Sequence, residues 1–330
     1  MWTMSPRRKG RRAEMRNKLS WFAVPYVVWM ALFTVAPVVL VVIYAFTTSN
    51  GGFTLDNFAR MGDFAVVFTR SFQMALIATL ICLLIGYPLS YCMAKEGPSF
   101  QKIATVLIML PMWMNFLLRT YAWMSILENN GLLNRLFAAV GIIDLGNLIN
   151  GGLNSLCAWL NSGVLDWLNG MLGTEFALNT ARATDMTYFR MLYTQGAVVL
   201  GMVYNYLPFM VLPIYSVIVK LDNSLLEAAR DLGASSSRVF RKVIFPLSLP
   251  GVLSGVTMVF VPSVSTFAIS KMLGGGTKML LGDLIELQFL GGAYNPYLGS
   301  AISLVMMVIV VVCMYVMNRF GEGEEQAVML

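Results

Sequence analysis

The sequence predicts an all-α integral membrane protein with six transmembrane helices, and three observations lead to that fold class. Only 12% of the 330 residues are charged, whereas a soluble domain averages about 25%. The mean hydropathy is +0.70. The apolar residues also gather into runs of about 20 residues, the length that a helix needs to cross a hydrocarbon core of about 30 Å.

Six apolar runs are long enough to span a membrane. Helix is the expected state of each run, because in lipid every backbone polar group must be satisfied within its own segment. The sequence shows no series of alternating segments of about 10 residues, as a membrane β-barrel would require. The predicted spans are Trp21 to Phe46, Ser71 to Ala94, Ile103 to Leu127, Gly196 to Val219, Gly251 to Ser270 and Leu298 to Met317.

A basic leader of residues 1–20 precedes the first run. By itself it resembles the start of a signal peptide, but a signal peptide has an apolar region of about 7–15 residues followed by a small-residue cleavage site. The first run is longer and ends in Tyr44, Phe46 and two threonines. We therefore expect the first span to remain in the protein.

The distribution of charge predicts that both termini lie in the cytoplasm. With that orientation, most of the 23 lysines and arginines fall in the leader, the two inner loops and the end of the last span, as the positive-inside rule requires. The outer segments contain slightly more acids than bases. The net charge of +6 thus indicates membrane topology and contact with lipid headgroups, and nucleic-acid binding is the weaker interpretation.

The composition also excludes several kinds of chemistry. The chain has no histidine, which excludes histidine metal ligands and histidine general bases, so we expect no metal site and no catalytic residue. Three of the four cysteines, Cys82, Cys92 and Cys313, lie in or at the ends of spans. With only Cys157 outside the spans, no disulfide framework is predicted.

The inner segment from Lys220 to Pro246 has the clearest local pattern. Ser224 followed by Glu227 predicts a capping box at the start of a short helix, and Gly233 is placed to end that helix in a left-handed conformation. The serines at positions 235–237 are expected to cap a second helix that Pro246 stops. The small Ala228 and Ala229 offer a close-packing surface, although an ordinary amphipathic connector would fit the same local pattern.

This segment resembles the EAA loop by which permeases of ATP-binding-cassette (ABC) importers contact their ATPases. The matching residues are Glu227, Ala228 and Ala229, then Gly233, then the run Val243 to Pro246. The usual pattern ends Ile-x-Leu-Pro, and this chain has Val243 and Phe245 at the Ile and Leu positions. The resemblance implies that Ser224, Glu227, Ala228, Ala229, Gly233 and Pro246 form the ATPase-coupling loop.

Further blocks are similar to one subfamily, the spermidine/putrescine permeases of the PotB type. They cover most of the chain after about residue 70, apart from a long external stretch. The blocks are Leu110 to Trp113, Arg119 to Trp123, Tyr206 to Met210 with Pro213, Leu226 to Gly233, Gly274 with Gly275, Gly282 with Asp283, and Gln288 to Leu290.

The resemblance implies a MetI-like permease that imports polyamines by alternating access. Its expected partners are two ATPase subunits, a second, PotC-like permease and an external, PotD-like polyamine-binding protein. ATP and magnesium would bind on the ATPase subunits, and this chain would bind no cofactor. One alternative is an importer for another small solute. Two others are a secondary transporter, whose internal repeats the sequence does not show, and an intramembrane enzyme, whose paired catalytic acids it does not show.

A polyamine pathway would need carboxylates for protonated amines and aromatic faces for cation–π contact. The candidate residues are Trp113, Tyr121, Trp123, Tyr204, Tyr206, Asp283 and Glu286. Each aromatic residue also suits bundle packing or the aromatic belt of a membrane interface. Arg119 lies within a span, and we expect it either to pair with an acid such as Glu128 or to extend toward the outer headgroups.

The predicted domain organisation is a leader (1–20), a permease domain (21–319) and a cytoplasmic tail (320–330). The coupling loop occupies 220–250. The external insertion, near 145–195, contains Trp159 and Trp167 and is expected to form interfacial helices. It is either a landing site for a binding protein or a permissive insertion.

Overall fold

The computed structural model describes residues 24–166, 169, 177–276 and 278–328. The basic leader, the first three residues of the first apolar run and Trp167 lie outside these residues. The described residues form helices joined mostly by short loops, with a longer stretch without helix at 177–194, and their sole β-type pairing is an isolated bridge between Thr47 and Phe53. The prediction of an all-α fold is confirmed.

The principal helices of the described residues are numbered in chain order. They are α1 (Val24–Ala45), α2 (Ala65–Lys95), α3 (Pro98–Trp113), α4 (Phe116–Leu127), α5 (Leu132–Ala139), α6 (Ile142–Leu160), α7 (Gln195–Ile218), α8 (Asn223–Asp231), α9 (Ser236–Ser265), α10 (Ala268–Gly274), α11 (Leu281–Leu290) and α12 (Pro296–Val328). Short helical turns at Asp56–Ala59 and Arg60–Phe64 precede α2, and a π turn at Asn161–Leu165 extends α6.

Five helical segments of the described residues are long and apolar enough to cross a membrane, and a sixth span results if a bent pair is counted as one. The five contain α1, α2, α7, α9 and the first part of α12. The bent pair is α3 with the segment that begins at Phe116. The helices therefore lie where the six apolar runs of the sequence predict them.

The third run is not one continuous helix. Its two halves bend by 91° at Met114 and Asn115, whose backbones are extended. Pro111 removes a hydrogen-bond donor near the end of α3. The side chain of Asn115 then accepts a hydrogen bond from the N–H of Leu117 at 2.8 Å and starts α4.

The chain divides into two compact units. The first contains α1, the loop after it, most of α11 and the apolar part of α12. In this unit the buried Asn57 donates hydrogen bonds to the carbonyls of Ala45 and Thr47. These bonds fix the loop against the end of α1, and the ring of Tyr44 lies 5.6 Å from that of Tyr297.

The second unit contains α3 to α10 and nearly all of α2. Helix α7 packs closely along α9 because Gly251 and Gly255 of α9 have no side chain. A Cβ atom at Gly251 would lie 2.9 Å from the carbonyl oxygen of Pro213, and one at Gly255 would lie 3.1 Å from that of Met210. These two glycines therefore permit the close approach of α7 and α9.

Two apolar clusters form the core of this unit. One joins α2, α7 and α10 around Met202 and Ile269, and the other joins α2, α7 and α9 around Met210 and Val259. Hydrogen bonds also connect these helices within the core. The hydroxyl of Ser90 in α2 donates to the carbonyl of Val211 in α7 at 2.9 Å. Helix α7 is therefore in contact with both α2 and α9.

Candidate functional site

The coupling loop begins with α8, and Asp222 is the residue that caps this helix. Its carboxylate accepts a hydrogen bond from the backbone N–H of Ser224 at 2.9 Å. This bond and one from the Ser224 side chain hold the pKa of Asp222 below its ordinary value. The predicted capping box at Ser224 is therefore wrong, because the helix starts earlier and Ser224 lies inside its first turn.

Gly233 ends the helix as the sequence predicts. Its φ is +78°, a conformation that L side chains adopt at a cost. The N–H of Gly233 donates to the carbonyl of Arg230, and the N–H of Ala234 donates to that of Ala229. These two bonds form a Schellman motif, which satisfies the last carbonyls of α8.

The helix after the turn differs from the prediction that Pro246 would stop it. Helix α9 runs without interruption from Ser236 to Ser265, with Ser235 at its N-cap position. A π turn at Phe240–Ile244 ends two residues before Pro246 and contains Lys242, four residues before the proline. The wider π turn moves aside the carbonyl that a proline ring meets in an α-helix, which explains why the helix continues. The coupling loop is thus rigidly continuous with a predicted span.

Helix α8 presents an exposed apolar face. Leu225, Ala228 and Leu232 are spaced by three and four residues, so they lie on one side of the helix and its C-terminal end. Leu225 is 50% exposed and Leu232 is 89% exposed, and Ala228 is exposed as well. Ala228 was predicted from the sequence but the two leucines were not, although the seven-residue spacing between them could have revealed them.

Behind α8 lies a polar groove of about 440 Å³. It is lined by α8 itself and by the adjacent ends of α2, α3, α7 and α9, and it contains Lys95, Glu96, Gln101, Leu226, Glu227 and Arg230. The carboxylate of Glu227 makes no ion pair within the part of the chain that the structure describes. Both Glu227 and Arg230 are exposed, which leaves their charges available to another protein.

Side chains connect this loop to the membrane helices. The ring of Phe240, at the start of the π turn, lies against Tyr87 and Tyr91 of α2 with centroids 5.9 and 5.2 Å away. The side-chain N–H groups of Gln101 donate to the carbonyls of Ala94 and Glu96. The hydroxyl of Tyr215 donates to the Oε1 atom of Gln101, which ties α3 to the end of α7.

The structure separates the candidate pathway residues into three places. Trp123 and Tyr204 meet edge to face, with centroids 5.4 Å apart. Trp123 and Tyr206 are both partly buried and pack against the apolar cluster around Met202 and Ile269. The hydroxyl of Tyr206 donates to the carbonyl of Pro262 at 3.4 Å. Trp113 and Tyr121, by contrast, are 74% and 58% exposed, so they face outward from the chain.

The two candidate carboxylates lie on α11. Asp283 accepts hydrogen bonds from the N–H of Leu280 and the hydroxyl of Ser270, so it joins the first turn of α11 to α10. Glu286 follows one turn later on the same helix and is half-buried. Both residues therefore belong to a helix, whereas the sequence placed them in a loop.

Arg119 does not follow either expectation. It is only 9% exposed, so its guanidinium does not extend to the headgroups. Its Nε and Nη1 atoms have no hydrogen-bond partner among the described residues. Glu128 does not satisfy them because it lies at the far end of α4, where it is the C-cap residue.

The sequence matches a known family over most of its length. Residues 86–322 match the family described as "Binding-protein-dependent transport system inner membrane component".

Two similar proteins are the spermidine/putrescine transport system permease proteins PotB of Escherichia coli (strain K12) and Haemophilus influenzae. The first is 34% identical over 289 residues, which cover 85% of this chain and 90% of the relative. The second is 33% identical over 302 residues, which cover 89% and 91%.

The fold is similar to a chain in the crystal structure of a bacterial ABC transporter involved in the import of the acidic polysaccharide alginate. The TM-score is 0.67 at 14% sequence identity, and the match covers 96% of this chain and 98% of the other. An identity this low shows the shared fold alone.

Proposed function

The chain belongs to the family of inner membrane components of binding-protein-dependent transport systems, and from that premise we propose that it is the permease subunit of an ATP-driven importer of spermidine and putrescine. It catalyses no reaction itself. ATP and magnesium bind on two partner ATPase subunits, and a second, PotC-like permease completes the membrane pathway. A PotD-like binding protein delivers the polyamine from outside.

The exposed face of α8 is the observation that carries the ATPase part of the proposal. A helix at a water-facing end of a membrane protein loses stability by exposing leucines unless another protein covers them. Leu225 and Leu232 supply apolar contact area, and Glu227 and Arg230 supply charges at its edge. Such a helix fits a groove on a partner, where apolar anchors contribute most of the binding energy.

The contacts behind α8 support a mechanical role for the loop. ATP-driven closure of the ATPase subunits would move α8, and the Schellman turn and the continuous α9 would carry that motion into a span. The packing of Phe240 on α2 and the groove shared by five helix ends would carry it further. The spans would then open alternately outward and inward.

The polyamine part of the proposal is supported by the similarity to the PotB proteins, which extends over 85–89% of this chain. The fold alone does not select a substrate, since a transporter of an acidic polysaccharide has it too. We assign the pathway to the aromatic pair Trp123 and Tyr204 with Tyr206 nearby. Trp113 and Tyr121 face outward, where the second permease would meet them. The carboxylates of Asp283 and Glu286 are the candidates for contact with protonated amines.

We also propose that both termini are cytoplasmic, which the distribution of lysine and arginine supports. A cysteine at position 237, in the coupling loop, would then react with a membrane-impermeant maleimide only in inside-out vesicles. A cysteine at position 62, between the first two spans, would react only in right-side-out vesicles. The reverse labelling would overturn the orientation and place α8 outside the cell, where no ATPase could dock.

The docking face is tested with charge substitutions. Leu232→Asp and Glu227→Lys should abolish co-purification with the ATPase subunits and stimulation of their ATP hydrolysis. Ser237→Asp is the matched control for Leu232→Asp, because it adds the same charge in the same loop at another exposed position. Normal ATPase binding by both docking variants would contradict the proposal. An equal loss of ATPase binding in the control variant would mean that any added charge in the loop disrupts binding.

The substrate is tested with the complete complex in proteoliposomes. Uptake of radiolabelled spermidine and putrescine should require ATP and the binding protein, while labelled methionine serves as the unrelated solute. Replacing Trp123 by Ala should lower polyamine uptake more strongly than Trp159→Ala, a change of the same type in the external insertion. ATP-dependent uptake of another solute but not of polyamines would support the proposal of an ATP-driven importer and contradict the proposal that its substrate is a polyamine.

A further inference from the structure

The external insertion contains a row of asparagines along α6. Asn147, Asn150 and Asn154 of α6 and Asn161 of the following π turn point to one side of the helix, at spacings of three, four and seven residues. We call these four residues the asparagine ladder. The ladder faces residues 178–186, which have no regular secondary structure.

Each member of the ladder binds the backbone of the facing segment. The side chain of Asn147 donates to the carbonyl of Met186 at 3.0 Å and accepts from its N–H at 2.9 Å. Asn154 makes the same pair of bonds with Arg182, and Asn161 makes it with Leu178. Asn150 donates to the carbonyl of Ala183 at 2.8 Å. The polar face of α6 is therefore its inner face.

The opposite side of α6 carries an apolar stripe. The stripe consists of Leu145 (54% exposed), Leu148 (73%), Ile149 (52%), Leu156 (52%) and Trp159 (65%). At 100° per residue, these five positions lie across the helix from Asn147, Asn150 and Asn154. No charged residue interrupts the stripe. Helix α6 thus has the reverse of the usual arrangement, in which the apolar face is buried and the polar face meets water.

We propose that α6 lies in the plane of the membrane interface, with its apolar stripe in lipid and its asparagine ladder turned toward the aqueous side. The stripe would enter the boundary between headgroups and acyl chains, to a depth of about 5–10 Å. Helix α6 is not among the described helices apolar enough to span a membrane, because asparagines occupy one whole face. When the helix lies along the membrane surface, its apolar face contacts lipid and its asparagine face points to the aqueous side.

Two features favour lipid over a protein partner as the occupant of the stripe. First, exposed apolar side chains occur on each helix from the bent third span to α6, and α4 packs on α5 and α5 packs on α6. Exposed leucines occur along this path at Leu118 of α4 and at Leu132 and Leu136 of α5. Second, Trp159 has an apolar body with one N–H, a combination that suits the headgroup level of a bilayer.

The ladder explains how the chain folds a helix of this polarity. A two-bond contact from an asparagine to a backbone satisfies one N–H and one C=O, as a neighbouring strand would. Three such contacts and the single bond from Asn150 hold the facing segment on the aqueous side of α6. The leaflet is the outer one if the proposed orientation of the spans holds, but contact with lipid does not depend on transport or on the substrate.

The proposal is tested by fluorescence quenching in the assembled transporter in lipid nanodiscs. Leu148→Cys and Leu156→Cys are labelled separately with the polarity-sensitive fluorophore NBD, in a chain whose native cysteines are replaced by serine or alanine. Asp185→Cys, on the facing segment, is the matched control. Each sample is measured with lipids that carry a nitroxide near the top of the acyl chain, and then with iodide in the buffer.

We expect the labels at positions 148 and 156 to lose most of their emission to the lipid nitroxide and little to iodide. The label at position 185 should show the opposite result. Quenching of the two stripe labels by iodide alone would overturn the proposal by placing the stripe in water. Protection from both quenchers would also overturn it, because a protein partner would then cover the stripe. Leu145→Cys replaces either variant if it fails to assemble.

Discussion

The ring of Phe240 packs edge to face against the ring of Tyr91, with centroids 5.2 Å apart. Phe240 belongs to the first π turn of α9, directly after the proposed docking helix, and Tyr91 belongs to α2. The Nζ atom of Lys95 lies over the Tyr91 ring, 4.2 Å from the ring centroid. One aromatic pair therefore connects the coupling loop to a second membrane helix.

We predict that Phe240→Leu and Tyr91→Leu weaken the coupling of ATP hydrolysis to transport. Removing either ring breaks the contact that they share, so the loss in the double variant should be smaller than the sum of the losses in the two single variants. A double-mutant cycle on thermal stability should give an interaction energy of about 1 kcal/mol, the usual value for an edge-to-face pair. The transport rate per ATP hydrolysed is measured in the same proteoliposomes. Additive losses in both readouts would mean that the two rings act independently.

We predict that Gly233→Ala weakens binding of the ATPase subunits. At φ +78° an alanine is strained by about 1–2 kcal/mol, although a Cβ atom would meet no neighbour within 4 Å. The strain therefore arises from backbone conformation alone. Gly97→Ala is the matched control, because its Cβ would be equally free and its φ is −67°.

The affinity of the purified subunits, measured by titration, should fall for Gly233→Ala and stay unchanged for Gly97→Ala. Gly233→Asn should lie between them, since asparagine tolerates the left-handed region better than alanine does. Equal affinities for all three variants would show that the turn conformation does not position the docking helix.

We predict that Gly255→Ala lowers the thermal stability of the chain. The new methyl group would lie 3.1 Å from the carbonyl oxygen of Met210, and a backbone atom inside a packed helix cannot move aside easily. Overpacking of this kind costs about 1–3 kcal/mol. Gly62→Ala, which meets no atom within 4 Å and has no positive φ, should leave the melting temperature unchanged. A Gly255→Ala chain as stable as the wild type would show that α7 and α9 separate readily.

We predict that the start of α8 loosens in acid through Asp222. The hydrogen bonds from Ser224 lower the pKa of Asp222 from its ordinary value of 3.8. A lowered pKa in the folded chain means that this stabilisation is complete above pH 3.8 and is lost as the pH falls through the lower folded value. At neutral pH, Asp222→Ala should loosen the helix, whereas Asp222→Asn should keep the cap.

Amide hydrogen exchange of residues 224–228 measures this effect. The ratio of the wild-type rate to the Asp222→Asn rate removes the intrinsic pH dependence of exchange. The ratio should be constant from pH 7 to pH 5 and should rise at the acid end. A constant ratio down to pH 3 would show that the carboxylate charge does not stabilise α8.

Much of the fold and of the coupling loop could be predicted because local chemistry dictates them. Runs of apolar residues long enough to span a membrane have no stable alternative to helix, and Gly233 takes a conformation that other residues avoid. Each of these features depends on residues near one another in the sequence.

The missed features depend on competition between neighbours. Asp222 took the capping role expected of Ser224, because it lies where the helix actually starts and its carboxylate is the stronger acceptor. Pro246 continued a helix because a π turn precedes it. Arg119 is buried without a partner for its Nε and Nη1 atoms because Glu128 lies at the far end of the same helix and the packing around α4 encloses its side chain.

The sequence by itself determined that this is a helical membrane protein of an importer family, because hydrophobic length and backbone chemistry are local properties, and it predicted a coupling loop between Lys220 and Pro246. Only the tertiary structure decided which faces those helices expose. It turned the asparagines of α6 inward, left Leu148 and Leu232 exposed and paired Trp123 with Tyr204. Helical spacing shows which residues share a face, but the segment that packs against the helix decides whether that face is buried or exposed.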